Sequence, residues 1–366
     1  MSGPFLALLP DAVVMAPMTK GSNLPYRRLC VELGARITVS EMTLARRLKQ
    51  KRQGEFALIR RFDGEPCFGV QLATNRPDEA AWAAALVEER GAQFVDVNFG
   101  CPIDYFTRKG LGAAIGRYPN RMRRLIEAMK RAVSRIPVTA KIRLGWNDRD
   151  RNYRQQAQAA IDGGADAIVV HGRTRNARYR FAADWDTIGE IAAAVGVPVI
   201  GNGDLLYPHE IAAARQRSGC AAVMVARGAL ITPWIFYEAR HGYSDITAEA
   251  RVQLYRRYAE LAREHWGTDE HGLTRVRAFI KWHLDFWCRY VPRRADGSFP
   301  SMQHRESGFV ARSALEGLLA REDEVAFDYL TDCLTMSRPI DPEAAPVRPS
   351  EARSAATPAG ALVFEG

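Results

Sequence analysis

The sequence has few cysteines, and none of them lies in a spacing that binds metal. No two of the six form a CxxC pair or another short ligand motif. Structural zinc sites and disulfide frameworks need closely spaced or numerous cysteines, so we predict neither. A cysteine with a chemical role has to be identified individually. The six are Cys30, Cys67, Cys101, Cys220, Cys288 and Cys333.

Long apolar runs are also missing. The segment MSGPFLALLPDAVVMAPM at the start is apolar, but no basic residue precedes it, and Pro4, Pro10 and Asp11 interrupt it. A signal peptide needs a basic start and a continuous apolar stretch, and a membrane-spanning helix needs about 20 apolar residues. The composition, 47% hydrophobic and 25% charged, is typical of globular proteins in solution. We therefore predict a cytoplasmic protein with no membrane contact.

Lysine is scarce although the chain is basic. Only seven of the 51 basic residues are lysines, and the formal net charge is +9. A basic surface attracts polyanions such as nucleic acids. An arginine-rich composition raises the charge as well, without any anionic partner. The charge alone therefore leaves both interpretations open.

Eight short apolar segments alternate with helix-compatible segments in the first part of the chain. This alternation is typical of repeated βα units. Eight units over about 240 residues fit an α/β fold of the (β/α)8 TIM-barrel type better than a doubly wound sheet of five or six strands. The predicted strands are 13–17, 37–41, 67–72, 94–99, 138–143, 167–171, 197–202 and 222–226.

The strand pattern ends after residue 243, where helical patterns begin. Thr247 is a suitable N-cap for the first of them, and Val252, Tyr255 and Ala259 form an apolar face. We predict a catalytic barrel over 1–243, a small C-terminal helical-bundle domain over 244–337, and a disordered tail over 338–366 that is rich in Pro, Ala, Glu and Ser. The predicted helices are 247–265, 274–290, 313–319 and 325–336.

Polar residues follow the predicted strands. Barrel enzymes build their sites from the loops at the carboxyl ends of the strands, so a ring of polar groups there predicts an active site. An inert barrel has no need for such a ring. In chain order the ring contains Met18, Thr19, Glu41, Gln71, Asn98, Cys101, Lys141, Arg143, His171, Arg173, Asn202, Asp204 and Arg227.

Cys101 differs from the other cysteines by its place in this ring. The segment VDVNFGCP, residues 95–102, delivers it from the fourth predicted strand into a turn in which Gly100 permits unusual backbone angles and Pro102 delays helix entry. Most isolated cysteines are small buried apolar residues. The position at the catalytic face favours a catalytic role for Cys101.

Two loops predict a cofactor that carries phosphate. GNGD at 201–204 and ARG at 226–228 follow the seventh and eighth strands, where barrel enzymes commonly bind phosphate. Lys141 and His171 are expected to point into the same end of the barrel. A flavin bound there would account for both residues: Lys141 would stabilise its anionic reduced ring, and His171 would hold its phosphate or the edge of its ring. Gln71 is then a candidate partner of the pyrimidine part of the flavin.

Taken in order, the motifs resemble those of the tRNA-dihydrouridine synthases. They are APMT at 16–19, NFGCP at 98–102, KGLGAA at 109–114, KIRLG at 141–145, HGRTR at 171–175, GNGD at 201–204 and ARGAL with PW at 226–234. EHWG at 264–267 and FWCRYVP at 286–292 look like the branch that acts on the variable-loop uridine in eukaryotes. The zinc-finger extension of that branch is not expected here, which leaves the target uridine open.

The resemblance implies a barrel that holds FMN, a helical domain that helps to grip tRNA, and NADPH as electron donor. By motif, Cys101 is the general acid. The residues that would line FMN, contact it or secure its ribityl phosphate are Pro17, Met18, Thr19, Gln71, Lys141, His171, Asn202, Gly203, Asp204, Ala226 and Arg227.

The mechanism expected from this resemblance is reduction of the C5–C6 double bond of uracil. Flavin N5 would deliver hydride to C6, and the Cys101 thiol would deliver a proton to C5. We expect Asn98, Arg143 and Arg173 to contact the substrate, and segment 109–114 to close over the base. For the RNA backbone the candidates are Arg256, Arg257, Arg275, Arg277, Lys281 and Arg289.

Two other functions fit part of the pattern. A flavin-dependent oxidoreductase of a free pyrimidine, of the dihydroorotate dehydrogenase kind, shares the phosphate loops and a loop cysteine, whereas the basic C-terminal helices favour RNA. A non-catalytic tRNA-binding protein on an inactive barrel has no use for Cys101, Lys141 and His171. The oligomeric state is expected to be monomeric. The sequence leaves open the choice of NADPH over NADH and any action on ribosomal RNA.

Overall fold

A computed structural model describes residues 4–300 and 310–346 of the chain. The chain divides into two compact units at the junction of Tyr243 and Ser244. The first unit contains all strands of the described residues and thirteen of their helices, and the second unit contains four helices.

The strands of the first unit form one parallel sheet that closes on itself. They are β1 Val13–Met15, β2 Thr38–Val39, β3 Thr43–Leu44, β4 Phe68–Ala73, β5 Phe94–Asn98, β6 Val138–Arg143, β7 Ala167–His171, β8 Val199–Asn202 and β9 Ala222–Val225. The order of pairing is β1-β9-β8-β7-β6-β5-β4-β2, and β3 also pairs with β4. A parallel bridge between Val14 and Ile37 joins β1 to the start of β2 and completes the barrel.

Helices surround the sheet and follow its strands. In chain order they are α1 Pro4–Leu8, α2 Leu24–Glu32, α3 Ala45–Lys49, α4 Gln53–Leu58, α5 Pro77–Glu89, α6 Asp104–Thr107, α7 Ala113–Gly116, α8 Pro119–Ala132, α9 Tyr153–Asp162, α10 Trp185–Ala194, α11 Pro208–Ser218, α12 Arg227–Ile231 and α13 Ile235–His241.

The prediction of a (β/α)8 barrel is confirmed. Each of the eight predicted strands overlaps an observed strand. Five observed strands are shorter than predicted by one to three residues, and β4 is shifted by one residue towards the C-terminus. β3 was not predicted. It resumes the pairing with β4 after the short β2, with Thr43 opposite Leu72 and Leu44 opposite Ala73.

The amino-terminal end of the barrel is filled by apolar side chains. Phe94, Ala167 and Ala222 are the first residues of β5, β7 and β9, and they belong to one buried cluster with Phe5 and Leu9. The Phe5 ring stacks on the Phe94 ring at 4.1 Å between centroids. The apolar segment at the start of the chain therefore closes the bottom of the barrel, and burial of a phenylalanine there contributes about 2–3 kcal/mol.

One glycine allows this packing. A Cβ atom at Gly69 in β4 would lie 2.1 Å from the Phe94 ring. Only glycine leaves space for that ring on the neighbouring strand, and the interior is thereby closed below the polar residues at the carboxyl ends.

The described residues of the second unit form four helices, each with a side-chain cap at its start. They are α14 Ala248–Trp266, α15 Glu270–Trp287, α16 Ala314–Leu319 and α17 Glu324–Thr335. Thr247 caps α14 as predicted, and α15 begins four residues before the predicted start because Asp269 accepts a hydrogen bond from the Gly272 backbone N–H. The other caps are Ser313 and Asp323.

A buried arginine lies in the core of these helices. The Arg251 guanidinium carbon lies 4.9 Å from the Trp287 ring centroid and 4.6 Å from that of Tyr290. One of its nitrogens also donates to the Trp287 carbonyl at 2.9 Å. The two aromatic faces and the carbonyl compensate the loss of water around the charge.

Residues 338–346 have no regular secondary structure but contact the helices. Tyr329 Oη donates to the Asp341 carbonyl, and Arg321 donates to the Pro346 carbonyl. The remainder of the tail predicted to be disordered, 347–366, lies outside the described residues. None of the described helices combines the length and the apolar character that crossing a membrane requires.

Candidate active site

Cys101 lies in the turn that follows β5, at the carboxyl end of the barrel. Its side chain is partly exposed, whereas the other five cysteines are buried. Removal from water raises the pKa of the thiol, and this effect exceeds the opposing effects of the Ile103 backbone N–H, Arg143 and Lys141. The thiol is therefore protonated at neutral pH, and its surroundings can also stabilise the thiolate that remains after proton transfer.

Asn98, the last residue of β5, holds the cysteine loop in place. Its Oδ1 accepts hydrogen bonds from the backbone N–H groups of Gly100 at 3.1 Å and Cys101 at 2.8 Å. Its Nδ2 donates to Gln71 Oε1 at 2.8 Å. The side chain thus links the loop to the interior of the barrel.

The hydrogen bonds continue inward to a carboxylate. Gln71 Nε2 donates to Asp96 Oδ2 at 2.7 Å, and Thr139 Oγ1 donates to Asp96 Oδ1 at 2.6 Å. An ionised carboxylate only accepts, so it fixes the orientation of the Gln71 amide, which in turn fixes that of Asn98. We call Asp96, Gln71 and Asn98 the amide chain. Each of its two amide groups retains one N–H for a ligand.

Asp96 and Lys141 form a coupled pair inside the barrel. Burial raises the pKa of Asp96 to about 6, while Thr139, Gln71 and Lys141 oppose that rise. Burial and Arg143 lower the pKa of Lys141 to about 8, while Asp96 opposes that decrease. At neutral pH both groups are mostly ionised, and each stabilises the charge of the other.

His171 and Lys141 share one acceptor at the end of β8. Lys141 Nζ donates to Asn202 Oδ1 at 3.1 Å, and His171 Nδ1 lies 2.7 Å from the same oxygen. Asn202 Nδ2 donates to the Met224 carbonyl, which fixes the amide orientation. His171 Nδ1 therefore carries a proton, and Nε2 carries a lone pair.

The second ring nitrogen of His171 is available to a ligand. His171 Nε2 is buried and has no hydrogen-bond partner within the described part of the chain. Burial and the charges of Arg143 and Lys141 lower the pKa of His171 well below its usual value, so the ring is neutral. A neutral ring with a free lone pair binds a hydroxyl or N–H donor rather than a phosphate oxygen.

Arg143, at the end of β6, holds the cysteine loop from a second side. Its Nε donates to the Gly100 carbonyl at 2.6 Å, and its Nη1 donates to the Thr174 carbonyl at 3.2 Å. Burial lowers its pKa to about 10, so it remains cationic at neutral pH. The loop and a positive charge are therefore fixed relative to each other.

The loops after β7, β8 and β9 meet around one carboxylate. Arg173 and Arg227 both donate to Asp204, and the Arg227 guanidinium lies 4.0 Å from the centroid of the Tyr179 ring. Arg173 Nε also donates to the Phe181 carbonyl. Arg173 Nη1 is buried and unpaired among the described residues. Arg173, predicted to contact the substrate, is thus joined to the two loops that were predicted to bind phosphate.

The turn at Gly203 requires glycine. Its φ is +139°, and a Cβ atom there would lie 2.5 Å from the Ala183 side chain. Asp204 follows with a φ of +52°. Two successive residues with positive φ angles thus form a tight turn directly after β8.

The remaining predicted cofactor residues lie at the same end of the barrel. Pro17 and Met18 are half-buried after β1, Thr19 is exposed, and Ala226 is half-buried after β9. Ser22 fixes the first of these turns, because its hydroxyl accepts from the Met18 backbone N–H and donates to the Ala16 carbonyl.

The arginines predicted to bind RNA differ in their partners. Arg277 forms an ion pair with Asp332, and Lys281 pairs with Glu324 and Asp328. Arg275 is exposed and forms no ion pair among the residues that the structure describes. Acidic residues of α17 thus pair with two of the six predicted basic residues, and Arg257 and Arg289 pair with Glu260 and Asp285, which lie close to them in the chain.

Asp96, Thr139 and Tyr179 are the residues of this site that the sequence analysis missed. Asp96 and Thr139 lie inside strands, whereas most of the predicted site residues lie at the ends of strands or follow them. Strict alternation within VDVN, which puts Asp96 on the same face as Asn98, is the signal that could have found Asp96.

The arrangement suits acid–base and hydride chemistry on a polar ring. It offers one protonated thiol, four cationic side chains, free amide N–H groups and a neutral imidazole at one end of the barrel. Within residues 4–300 and 310–346, no group of three or more His, Cys, Asp or Glu residues could hold a metal ion.

Comparison with known proteins agrees with the predicted family. The model of the Dihydrouridine synthase (Dus) family matches residues 14–287. A Cryptococcus neoformans protein named tRNA-dihydrouridine(47) synthase, with NAD(P)(+) in its name, is 39% identical over 324 residues, which cover 84% of this chain and 45% of that protein. A similarly named human protein is 35% identical over 332 residues, which cover 90% and 50%.

One solved structure supports the fold. A 6-hydroxypseudooxynicotine amine oxidase from Pseudomonas geniculata N1 aligns with a TM-score of 0.50 at 14% identity, over 66% of this chain and 50% of that one. The chain spans about half the length of the curated relatives it matches. The family match covers most of the barrel and continues into α15, and the chain belongs to the dihydrouridine synthase family.

Proposed function

We propose that the protein is an FMN-dependent synthase that reduces the C5–C6 double bond of a uridine in tRNA with electrons from NADPH. The observation that carries the proposal is the Cys101 thiol, which is kept protonated on a loop held by Asn98 and Arg143 at the catalytic end of a barrel of this family. A cytoplasmic location and a monomeric state belong to the proposal as predictions from the sequence.

Two unpaired buried atoms support the fit of FMN. His171 Nε2 is an acceptor and Arg173 Nη1 is a donor. We assign a ribityl hydroxyl to His171, because a neutral imidazole with a lone pair on Nε2 has no proton to offer a phosphate. We assign the phosphate to Arg173, Arg227 and the backbone at 203–204, with Asn202 and Ala226 beside it. Pro17, Met18 and Thr19 would line the flavin, and Gln71 and Lys141 would contact its pyrimidine part.

When bound, reduced FMN supplies the hydride that C6 of the uracil receives from N5. Cys101 supplies the proton to C5, and its raised pKa keeps this proton in place until the base arrives. The Ile103 backbone N–H and the nearby cations Lys141 and Arg143 then stabilise the thiolate, which regains a proton from water.

The remaining donors of the site orient the base. Asn98 retains one N–H after its bond to Gln71, and Arg143 retains donors after its bonds to two carbonyls. Carbonyl oxygens of uracil accept from such groups, and charge that develops on them during hydride addition strengthens those bonds. Asn98 and Arg143 thus remain our candidates for substrate contact.

We retain Arg275 and Arg277 as candidates for contact with the RNA, and Arg275 is the stronger candidate. Arg275 is exposed and without an ion pair among the described residues, whereas Arg277 must leave Asp332 to reach a phosphate. The names of the relatives give position 47 and NAD(P)(+). Position 47 is therefore the first position to map.

The test is dihydrouridine formation in unmodified tRNA by purified protein with NADPH. Cys101→Ala should retain flavin, seen by its visible absorbance, and lose most turnover. Cys333→Ala is the matched control, since it removes a buried thiol in the other unit.

Three results would contradict the proposal. They are a colourless protein that takes up no FMN, wild-type protein that reduces free pyrimidines but not tRNA, and normal dihydrouridine formation by Cys101→Ala. Mapping of the product by mass spectrometry of tRNA fragments decides the position.

A further inference from the structure

A basic cavity lies beside the cysteine loop and has no role in the chemistry described above. Its volume is about 290 Å³, and Arg108, Arg117, Arg121, Tyr118 and Trp146 line it. We call it the arginine cavity. It is formed by loops that follow β4, β5 and β6, so it opens at the same end of the barrel as Cys101.

The positive charges of the arginine cavity favour the binding of an anion. Arg108 and Arg121 form no ion pair with a carboxylate in the described segments, and both are exposed. Arg117 lies 3.7 Å from Asp150, but both side chains are nearly half exposed, and such pairs contribute little. Three guanidinium groups around one cavity repel each other, and a bound phosphate relieves that repulsion.

The aromatic residues of the cavity offer flat surfaces next to these charges. The Tyr118 side chain is 49% exposed, and the Arg121 guanidinium lies 4.8 Å from its ring centroid. Trp146 has the guanidinium groups of Arg117 at 5.0 Å and Arg175 at 4.6 Å. Aromatic rings beside arginines are the usual means of binding unstacked nucleotides, because the base stacks while the phosphate is paired.

Only one layer of backbone separates the cavity from the reactive thiol. A Cβ atom at Gly112 would lie 2.7 Å from the Cys101 carbonyl oxygen, and the Ala113 N–H donates to that oxygen at 3.0 Å. Gly110 and Ala114, on either side, line the cavity. A group bound there is therefore close to whatever base Cys101 protonates.

We infer that the arginine cavity binds a nucleotide of the RNA strand next to the target uridine, with its phosphate on Arg108 and Arg121 and its base against Tyr118. The inference rests on the proposed function. Clefts for whole small-molecule ligands measure roughly 300–1,000 Å³, so this volume suits one nucleotide better than the complete dinucleotide of the electron donor.

The experiment compares the holoenzyme with two variants on unmodified tRNA transcript. Arg108→Ala/Arg121→Ala should weaken binding about tenfold, as loss of a phosphate contact and its neighbouring stack does. The slope of log affinity against log salt should fall by about 0.7 for each lost phosphate contact. Arg124→Ala is the matched control, because Arg124 lies on α8 together with Arg121 but does not line the cavity. This variant should bind tRNA as the wild type does.

Tyr118 provides an independent variant. Tyr118→Ala should weaken tRNA binding, and Tyr118→Phe should restore it because the ring still stacks. Flavin content and the rate of flavin reduction by NADPH without RNA should be unchanged in all variants.

Unchanged tRNA affinity in the double variant, or equal loss in Arg124→Ala, would overturn the inference. A raised KM for NADPH with unchanged tRNA affinity would assign the cavity to the electron donor and would overturn it as well. Failure of the proposed function looks different, since wild-type protein would then form no dihydrouridine, while these binding measurements would still decide whether the cavity takes RNA.

Discussion

The direction of hydrogen bonding along the amide chain can be reversed by two isosteric substitutions. In the wild type Asp96 accepts from Gln71, Gln71 accepts from Asn98, and Asn98 accepts from the cysteine loop. Asn98→Asp replaces the donor that faces Gln71 Oε1 with an oxygen. Rotation of the Gln71 amide only moves the conflict to Asp96, so one contact between two acceptors remains in either orientation.

The expected cost follows from the burial of these atoms. Gln71 and Asn98 are 1% and 7% exposed, so the two oxygens at the conflict cannot turn to water. At pH 8, well above the Asp96 pKa of about 6, Asn98→Asp should lower the free energy of unfolding by about 3 kcal/mol, the upper part of the range for a buried group left without a partner. Nearer pH 6 the cost should be smaller, because a protonated Asp96 can donate to Gln71. Asp96→Asn alone should cost about 1–2 kcal/mol. Its amide can face the Thr139 hydroxyl, which can also accept, but Lys141 loses the carboxylate that stabilises its charge.

Together the substitutions should compensate each other. With an amide at position 96 and a carboxylate at position 98, Gln71 can rotate and satisfy both neighbours, while the carboxylate still accepts from Gly100 and Cys101. We expect the double variant to be more stable than the sum of the single effects predicts, with a coupling of about 1–3 kcal/mol.

The assay is urea unfolding followed by circular dichroism, with flavin content matched among the four proteins. Additivity of the two substitutions within about 0.5 kcal/mol would refute the reasoning, since independent sites behave in that way. It would mean that the amide chain does not act as one oriented unit.

Three further predictions concern other parts of the barrel. Phe5→Ala should lower the free energy of unfolding by about 3–5 kcal/mol because it removes the buried ring that stacks on Phe94. Urea unfolding of the wild type and the variant measures this change. A loss below about 1 kcal/mol would contradict the conclusion that Phe5 closes the bottom of the barrel. Gly203→Ala should weaken FMN binding, measured by fluorescence titration, because its Cβ would meet the Ala183 side chain, and unchanged affinity would remove this turn from the cofactor site. Turnover should fall as pH rises through about 8, where Lys141 loses its charge, although the Cys101 thiol remains protonated there; a pH profile flat to pH 9 would show that the lysine charge is not needed.

Much of the barrel could be predicted because its signals are local. Four successive strands end at a polar residue, and a parallel sheet brings these ends to one side. The four residues are Asn98, Arg143, His171 and Asn202. The role of α1 could not be read in the same way. The same apolar residues would fit a signal peptide, a strand or a helix that closes the barrel. Only the contact between Phe5 and Phe94 shows which of these structures the segment forms.

Whether a basic side chain already has an acidic partner was also decided by the tertiary structure. Arg277 and Lys281 look like free charges in the sequence, yet Asp332, Glu324 and Asp328 on a helix some 50 residues away pair with them. Nothing in the sequence pattern distinguishes Arg108 and Arg121 from other surface arginines, yet both line one cavity. Charge is a property of composition, whereas its neutralisation depends on which residues are neighbours in space.

The sequence by itself determined the family and the eightfold strand pattern and singled out Cys101 as the candidate acid, because these depend on residue types in a fixed order. Only the tertiary structure decided what each polar group does with its donors and acceptors. It joined Asp96 and Gln71 to Asn98, left His171 with one free lone pair, and paired Arg173 with Asp204 in the loop after β8. Hydrogen bonds and pKa values depend on distances of a few ångströms between residues far apart in the chain, and no local pattern contains those distances.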